Sequence, residues 1–432
     1  MALCFFPTLS GCTGESPDKS GGADATRDAA IAAEAAAQET AAREAARAAV
    51  RTRAALIAAS LDDRRLTAQV ILSGIDGRGR LGRDMRALLE ECPAGGIVLF
   101  RYNLDTDVES IQNLIEECAG FIAAKTTDAP ETAGIPPFVA VDHEGGAVNR
   151  FMPGIAALPA AGSYWELSRR EGQDMAIAQI EADSFSAGAA INTFGFNLNL
   201  APVAEYLTED NRAFLEDRSY GPDPAFTAAA AAAFVRGMER AGILCVAKHF
   251  PGSAGKDPHR FSSTLYSDRV GLDELIAPFA SLISGGQARA LMISHTAALA
   301  RDGNIASLSA PIMNEWLRQE LGFEGIIITD DFSMAAASGQ AAASGQAAAS
   351  GQAAASGQAA ASGEDNTSPA VLAVQSLAAG ADMVLVWPQD IRRTHRAIQA
   401  ALGDGRLSRE RLREAAERII FEKIRMDIIN GE

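Results

Sequence analysis

Ile243 to His259 reads ILCVAKHFPGSAGKDPH. The apolar run Ile243-Leu244-Cys245-Val246 leads into polar residues punctuated by Pro251, Gly252, Gly255 and Pro258, which is the pattern of a buried strand leaving its sheet into a loop. That loop concentrates Lys248, His249, Asp257 and His259. Asp257 and His259 are spaced so that one short turn can bring a carboxylate to an imidazole, orienting the ring and holding its proton. Taken alone the stretch reads first as a surface turn with a local Asp–His contact. Its neighbours reverse that reading.

The same strand-then-loop pattern recurs along the chain. From about Leu66, short apolar runs fall at Val70–Ser73, Gly96–Phe100, Phe138–Val141, Asn197–Val203, Leu244–Ala247, Ala290–Ser294, Gly325–Thr329 and Met383–Trp387. Between them lie segments of helical spacing, among them Val108–Ala124, Ser168–Phe194, Ala225–Ala241, Leu272–Ser284, Ala310–Leu321 and Pro369–Ala379. Eight near-continuous apolar strands alternating with helices predict an α/β fold, a single (β/α)8 TIM-type barrel whose strands are buried on both faces. A doubly wound sheet is the alternative, but Ser73-Gly74-Ile75-Asp76-Gly77 lacks the GxGxxG spacing that its first turn would want.

The barrel is expected over residues 61–432, with extensions. Residues 1–22 form a short apolar tail in which Leu9-Ser10-Gly11-Cys12 is similar to the lipobox of bacterial lipoproteins. If it acts as one, a lipid on Cys12 is the only membrane attachment and the protein sits in the cell envelope, as a lipoprotein or periplasmic; otherwise it is cytoplasmic. No run reaches the roughly 18 apolar residues of a transmembrane helix. Residues 23–60 are rich in Ala, Glu and Arg, free of Gly and Pro, and poor in large apolar groups, which predicts a helical or partly disordered stalk. Residues 338–363 repeat SGQAAA, an insertion expected in the loop after the seventh strand. The net charge of −17 and the absence of Lys/Arg clusters argue against a nucleic-acid partner. Five cysteines without CxxC or metal-ligand spacing imply no disulfide framework. Oligomeric state is not legible.

In a barrel, catalytic groups come from the C-terminal ends of different strands. Strand three ends in Asp142-His143-Glu144-Gly145-Gly146 with Arg150 close behind, strand five in Lys248-His249, strand six in His295 and strand seven in Asp330-Asp331. Four of the five histidines, His143, His249, His259 and His295, thus fall on one predicted face. A catalytic metal would want closely spaced ligands, and neither His-x-His nor His-Glu-x-x-His is present. Glycoside cleavage needs a carboxylate to attack the anomeric carbon and a separate acid to protonate the departing oxygen, and an Asp on strand seven with an Asp–His pair on a loop supply both.

The motifs VDHEGG with Arg150-Phe151, Arg218-Ser219-Tyr220-Gly221, Lys248-His249-Phe250-Pro251-Gly252, Asp257-Pro258-His259 and Thr329-Asp330-Asp331-Phe332-Ser333-Met334 together resemble glycoside hydrolase family 3, in its β-N-acetylhexosaminidase branch. The resemblance runs in the family's order from about Leu66 to Ala381. It implies a cofactor-independent retaining exo-glycosidase that removes terminal β-linked N-acetylglucosamine from small glycans or muropeptides through a covalent glycosyl-enzyme. It also implies Asp330 as nucleophile, His259 as acid/base with Asp257 as its partner, and Asp142, Arg150, Arg218, Lys248 and His249 as binders of sugar hydroxyls or the N-acetyl group; His295 joins the expected substrate-binding set by its position. Asp331 is expected to cap the next helix or orient the site. Three departures stand out: a shortened loop carrying Ser253-Ala254 where the family often has His-Gly, Ala147 in place of an Arg, and the repeat after Met334. The rival readings are a β-glucosidase-type member of the same family, a non-catalytic lipid-anchored sugar-binding barrel and, as the outside choice, a metal-dependent hydrolase.

Overall fold

The computed structural model describes residues 21–104, 107–127, 134–152, 154–255, 257–258, 260–334, 337 and 367–429, with the backbone alone for 21–32 and 36. The repeat 338–363, the Leu9–Cys12 motif and His259 lie outside the described residues. The chain divides into two units, Met1–Thr52 and Arg53–Glu432. In the first, the Ala-rich run is helical from Gly21, within a helix recorded over Gly21–Ser60. Its described side chains from 33 to 49 are exposed, as expected where so few large apolar groups exist to be buried. No helix among the described residues is long and apolar enough to cross a membrane.

The second unit is the barrel. Its strands are β1 (Ile71–Gly74), β2 (Gly96–Leu99), β3 (Phe138–Val141), β4 (Leu198–Asn199), β5 (Leu244–Phe250), β7 (Ala290–Ile293), β9 (Ile326–Thr329) and β10 (Val384–Val386), while β6 (Ser263–Leu265) and β8 (Thr296–Ala298) form a separate two-stranded ribbon. The eight pair in parallel in the order β10-β1-β2-β3-β4-β5-β7-β9. The two ends meet through a parallel bridge between Ile328 and Met383, with Thr329 N donating to Met383 O at 3.0 Å. Every residue of the eight strands is buried, which is why each could be read as a continuous apolar run.

Three local differences from expectation have physical causes. The fourth strand shrinks from Asn197–Val203 to Leu198–Asn199: Pro202 has no N–H for the ladder, and asparagine side chains add their own bonds beside the backbone ones. Val139 N donates to Asn197 Oδ1 at 2.8 Å, and the Asn199 amide exchanges two bonds with the His143 backbone. The helix expected over Ser168–Phe194 is broken at Gly172, whose φ of 98° ends one helix at Glu171 and starts the next at Gln173. The fifth strand runs past Ala247 to Phe250 and so carries Lys248 and His249 inside the barrel wall. Phe250 packs edge-on to Phe279 and against Trp316, with centroids 5.6 and 5.1 Å away, anchoring the point where the chain leaves the sheet.

Asp382 and Lys423 are buried away from the rim. Asp382, fully buried just before β10, accepts from Arg318 (2.6 Å), Arg411 (2.9 Å), Arg418 (3.0 Å) and Ile327 N (2.9 Å), tying the helix Arg409–Arg425 to the barrel. Lys423 on that helix is also fully buried and bonds Gln69 Oε1 at 3.1 Å.

Candidate active site

The C-terminal ends of the strands bring together residues remote in sequence. Asp142, the first residue after β3, accepts from Lys248 Nζ at 2.6 Å and from Arg150 at 2.5 Å. Lys248 reaches in the other direction to Glu144 Oε1 at 2.7 Å, and Glu144 takes both arms of Arg218 at 2.8 Å. The result is one alternating chain, Arg150, Asp142, Lys248, Glu144, Arg218, in which buried charges are paired and hydrogen-bonded rather than isolated. Burial by itself would raise both carboxyls, but Lys248 with Arg150 holds Asp142, and Lys248 with Arg218 holds Glu144, below the usual carboxylate range. Burial likewise disfavours the Lys248 ammonium, yet Asp142 and Glu144 raise it above its ordinary value. All of these groups are therefore charged at neutral pH, with three cations against two anions, and they form a pre-set array of donors and acceptors for a polyhydroxylated ligand.

Beside this array, His249 Nδ1 lies 2.7 Å from Glu205 Oε1. A carboxylate can only accept there, so Nδ1 carries the hydrogen and Nε2 is left for other work. Glu205, 2% exposed, comes after the fourth strand, and sequence reasoning missed it. The signal was present, since Glu205 stands just beyond the fourth apolar run as Asp142 stands just beyond the third.

Asp330 leaves β9 with its Oδ1 accepting the Asp331 N–H at 2.9 Å; Oδ2 takes no hydrogen bond among the described residues. Burial pushes its carboxyl up, but His249, His295, the Asp331 N–H and Lys248 together hold it below its ordinary value. It is thus an ionised, half-buried carboxylate, which suits a nucleophile. Its neighbour Asp331 is fully committed. It accepts from Ser333 N at 2.8 Å, from Ser333 Oγ at 2.6 Å and from Trp387 Nε1 at the end of β10. Asp331 therefore fixes the backbone just beyond Asp330 through Ser333 and Trp387.

His295 was expected among the substrate-binding residues, and the structure gives it a different set of contacts. Its Nδ1 lies 2.7 Å from Ser307 Oγ, its Nε2 3.0 Å from Asp331 O, and its ring stacks on Phe332. Burial lowers its pKa, and the ring braces the Asp330–Asp331 loop. His143 is similarly absorbed: burial pushes it down to about 4, its Nε2 meets Ala156 O at 2.9 Å and its ring abuts Phe151 edge-on. Of the four histidines expected on this face, only His249 is described beside both the charged array and Asp330. Asp257 is half-buried, and its carbonyl accepts from Arg260 N and Phe261 N at 3.0 Å, opening a turn. Among the described residues no three His, Cys, Asp or Glu converge as a metal cage.

The profile described as "Glycosyl hydrolase family 3 N terminal domain" matches residues 64–421. A protein named Beta-hexosaminidase from Methylococcus capsulatus is 32% identical over 265 residues, covering 60% of this chain and 73% of its own length. Another of that name from Stenotrophomonas maltophilia is 33% identical over 272 residues, with coverages of 62% and 76%. Among solved structures, a glycoside hydrolase family 3 beta-N-acetylglucosaminidase from Paenibacillus sp. str. FPU-7 superposes over 86% of this chain with a TM-score of 0.72 at 26% identity, and the chain spans 64% of that protein's length. Beta-N-acetylhexosaminidase from Beutenbergia cavernae gives a TM-score of 0.67 at 26% identity, with coverages of 84% and 99%.

Proposed function

The chain belongs to glycosyl hydrolase family 3 and is a glycoside hydrolase, and we propose that it removes terminal β-linked N-acetylglucosamine, with retention, from peptidoglycan-derived or related glycans. The observation that carries this reading is Asp330: an ionised, half-buried carboxylate at the barrel mouth, beside an array of charge-paired donors. The relatives' names, β-hexosaminidase and β-N-acetylglucosaminidase, support the choice of sugar.

In the proposed reaction Asp330 attacks the anomeric carbon while the bond to the leaving oxygen breaks, and His259, with Asp257 as its partner in this scheme, passes a proton to that oxygen. A water then attacks the glycosyl-enzyme as His259 takes back a proton. Two inversions at one carbon give net retention. Asp142, Arg150, Arg218, Lys248 and His249 hold sugar hydroxyls or the N-acetyl group, and Glu144 and Glu205 hold three of those residues in place. The site needs no cofactor in this scheme. If Leu9-Ser10-Gly11-Cys12 acts as a lipobox, a lipid on Cys12 holds the protein in the bacterial cell envelope; otherwise it is cytoplasmic.

The test is release of 4-nitrophenol from its β-N-acetylglucosaminide, with the anomer formed first followed by proton NMR. The β-anomer is expected. Asp330→Asn should lower kcat at least ~10³-fold, about 4 kcal/mol of transition-state stabilisation, with an unchanged circular dichroism spectrum. Near-normal turnover by that variant, or the α-anomer as first product, would overturn the assignment.

A further inference from the structure

The ribbon formed by β6 and β8 is a feature that nothing in the composition pointed to, and it sits between the two loops on which the proposed chemistry depends. Ser263 pairs with Thr296 across it. Both are almost fully buried, at 1% and 2% exposure, so their hydroxyls require protein partners. Ser263 Oγ donates to Ala254 O and accepts from Ala254 N, each at 3.1 Å, and Thr296 Oγ1 donates to Ser263 Oγ at 2.9 Å. One donation and two acceptances match what a single hydroxyl offers. The chain that leaves β5 is thereby clasped to itself between 254 and 263, and the part it encloses carries Asp257. Gly255 N, donating to Asp210 O at 2.9 Å, ties the same turn to the loop beyond β4.

The residues next to Thr296 extend the clasp. Ser294 Oγ lies 3.4 Å from Gly252 O, at the start of the same loop. Between them His295 reaches Asp331 O. The three consecutive residues Ser294, His295 and Thr296, at the exit of β7, therefore hold the Asp257 loop on one side and the Asp330–Asp331 loop on the other.

We infer that the Ser263 hydroxyl, supported by Thr296, is a positioning residue that sets the reach of the Asp257 loop toward the bond made at Asp330. The inference rests on the proposed function.

The experiment compares the full chain with Ser263→Ala, Ser263→Thr and Thr296→Val on two substrates, 4-nitrophenyl β-N-acetylglucosaminide and N,N′-diacetylchitobiose. kcat/KM reports the glycosyl transfer to the enzyme. Nitrophenol departs with little protonation, whereas a sugar hydroxyl must be protonated as it leaves. Ser263→Ala should lower kcat/KM on the disaccharide roughly tenfold or more and on the aryl glycoside less than about threefold, because misplacing a proton donor penalises only the step that needs it. Ser263→Thr, which retains a hydroxyl, should restore the disaccharide rate. Equal losses on both substrates, or no loss on either, would overturn the inference while leaving the proposed function standing. Should Ser263→Ala fail to fold, Thr296→Val, which leaves the Ala254 bonds intact, decides by the same ratio. Absence of turnover by the unmutated chain would overturn the proposed function and this inference with it.

Discussion

Lys423 offers the most direct test of the packing physics. It is fully buried on the C-terminal helix, its Nζ lies 3.1 Å from Gln69 Oε1 and 5.3 Å from the Phe138 ring centroid, and burial pushes its pKa down to about 7. In the unfolded chain a lysine titrates near ~10.4, so at pH 7 the unfolded state binds a proton that the folded state holds only half the time. With about 1.4 kcal/mol per pKa unit, charging this lysine costs the fold about 4 kcal/mol at neutral pH. Because the folded pKa is the lower one, the cost is fully present below about pH 7 and fades as pH rises toward ~10.4. Lys423→Met removes the charge, keeps the volume and leaves the Gln69 amide short of a partner, a penalty of roughly 1–3 kcal/mol. The variant should therefore be more stable than the parent at pH 7 by roughly 1–3 kcal/mol. That advantage should shrink by about 1.4 kcal/mol per pH unit between pH 8 and 10. Urea unfolding followed by tryptophan fluorescence at several pH values measures it, with Trp165, Trp316 and Trp387 as reporters. Parallel stability curves for the two proteins across pH 7–10 would refute the reasoning.

At the site, Lys248→Met should leave Asp142 with Arg150 and Glu144 with Arg218 but without the shared cation, so both carboxyls titrate at higher pH. The acidic limb of kcat/KM should move to higher pH, accompanied by a raised KM; an unmoved limb would show that the alternating network does not govern binding. For the N-terminal segment, the full chain produced in a bacterial host should take up radiolabelled palmitate and partition with membranes, and Cys12→Ser should abolish both. Equal partitioning of the two proteins would remove the lipid anchor and with it the envelope location.

Strand count, strand order and barrel closure were readable because burial on both faces writes itself into local composition, and the charged residues just beyond those runs were readable because they interrupt it. The asparagines of β4 show where that signal fails. Asn197 and Asn199 keep their backbone partners and add side-chain bonds to Val139 N and the His143 backbone, which no period-two pattern encodes. Likewise, Asp142, Arg150, Lys248 and Arg218 could be named one by one.

Their linkage through Glu144 could not, since Lys248 stands 106 residues from Asp142 and Arg218 stands 74 from Glu144. The division between His249, which faces Glu205, and His295, which is spent on Ser307 and Asp331, also depends on ring placement. So does the clasp of Ser263 on Ala254, made by two small residues that look like ordinary loop in sequence. Sequence alone determined the fold class and the rim, because hydrophobic burial and chain order act locally, while Asp330 was singled out through the resemblance of its motif to the family. Tertiary structure alone decided which polar groups meet, because a hydrogen bond depends on a few ångströms of separation set by the closure of the whole barrel.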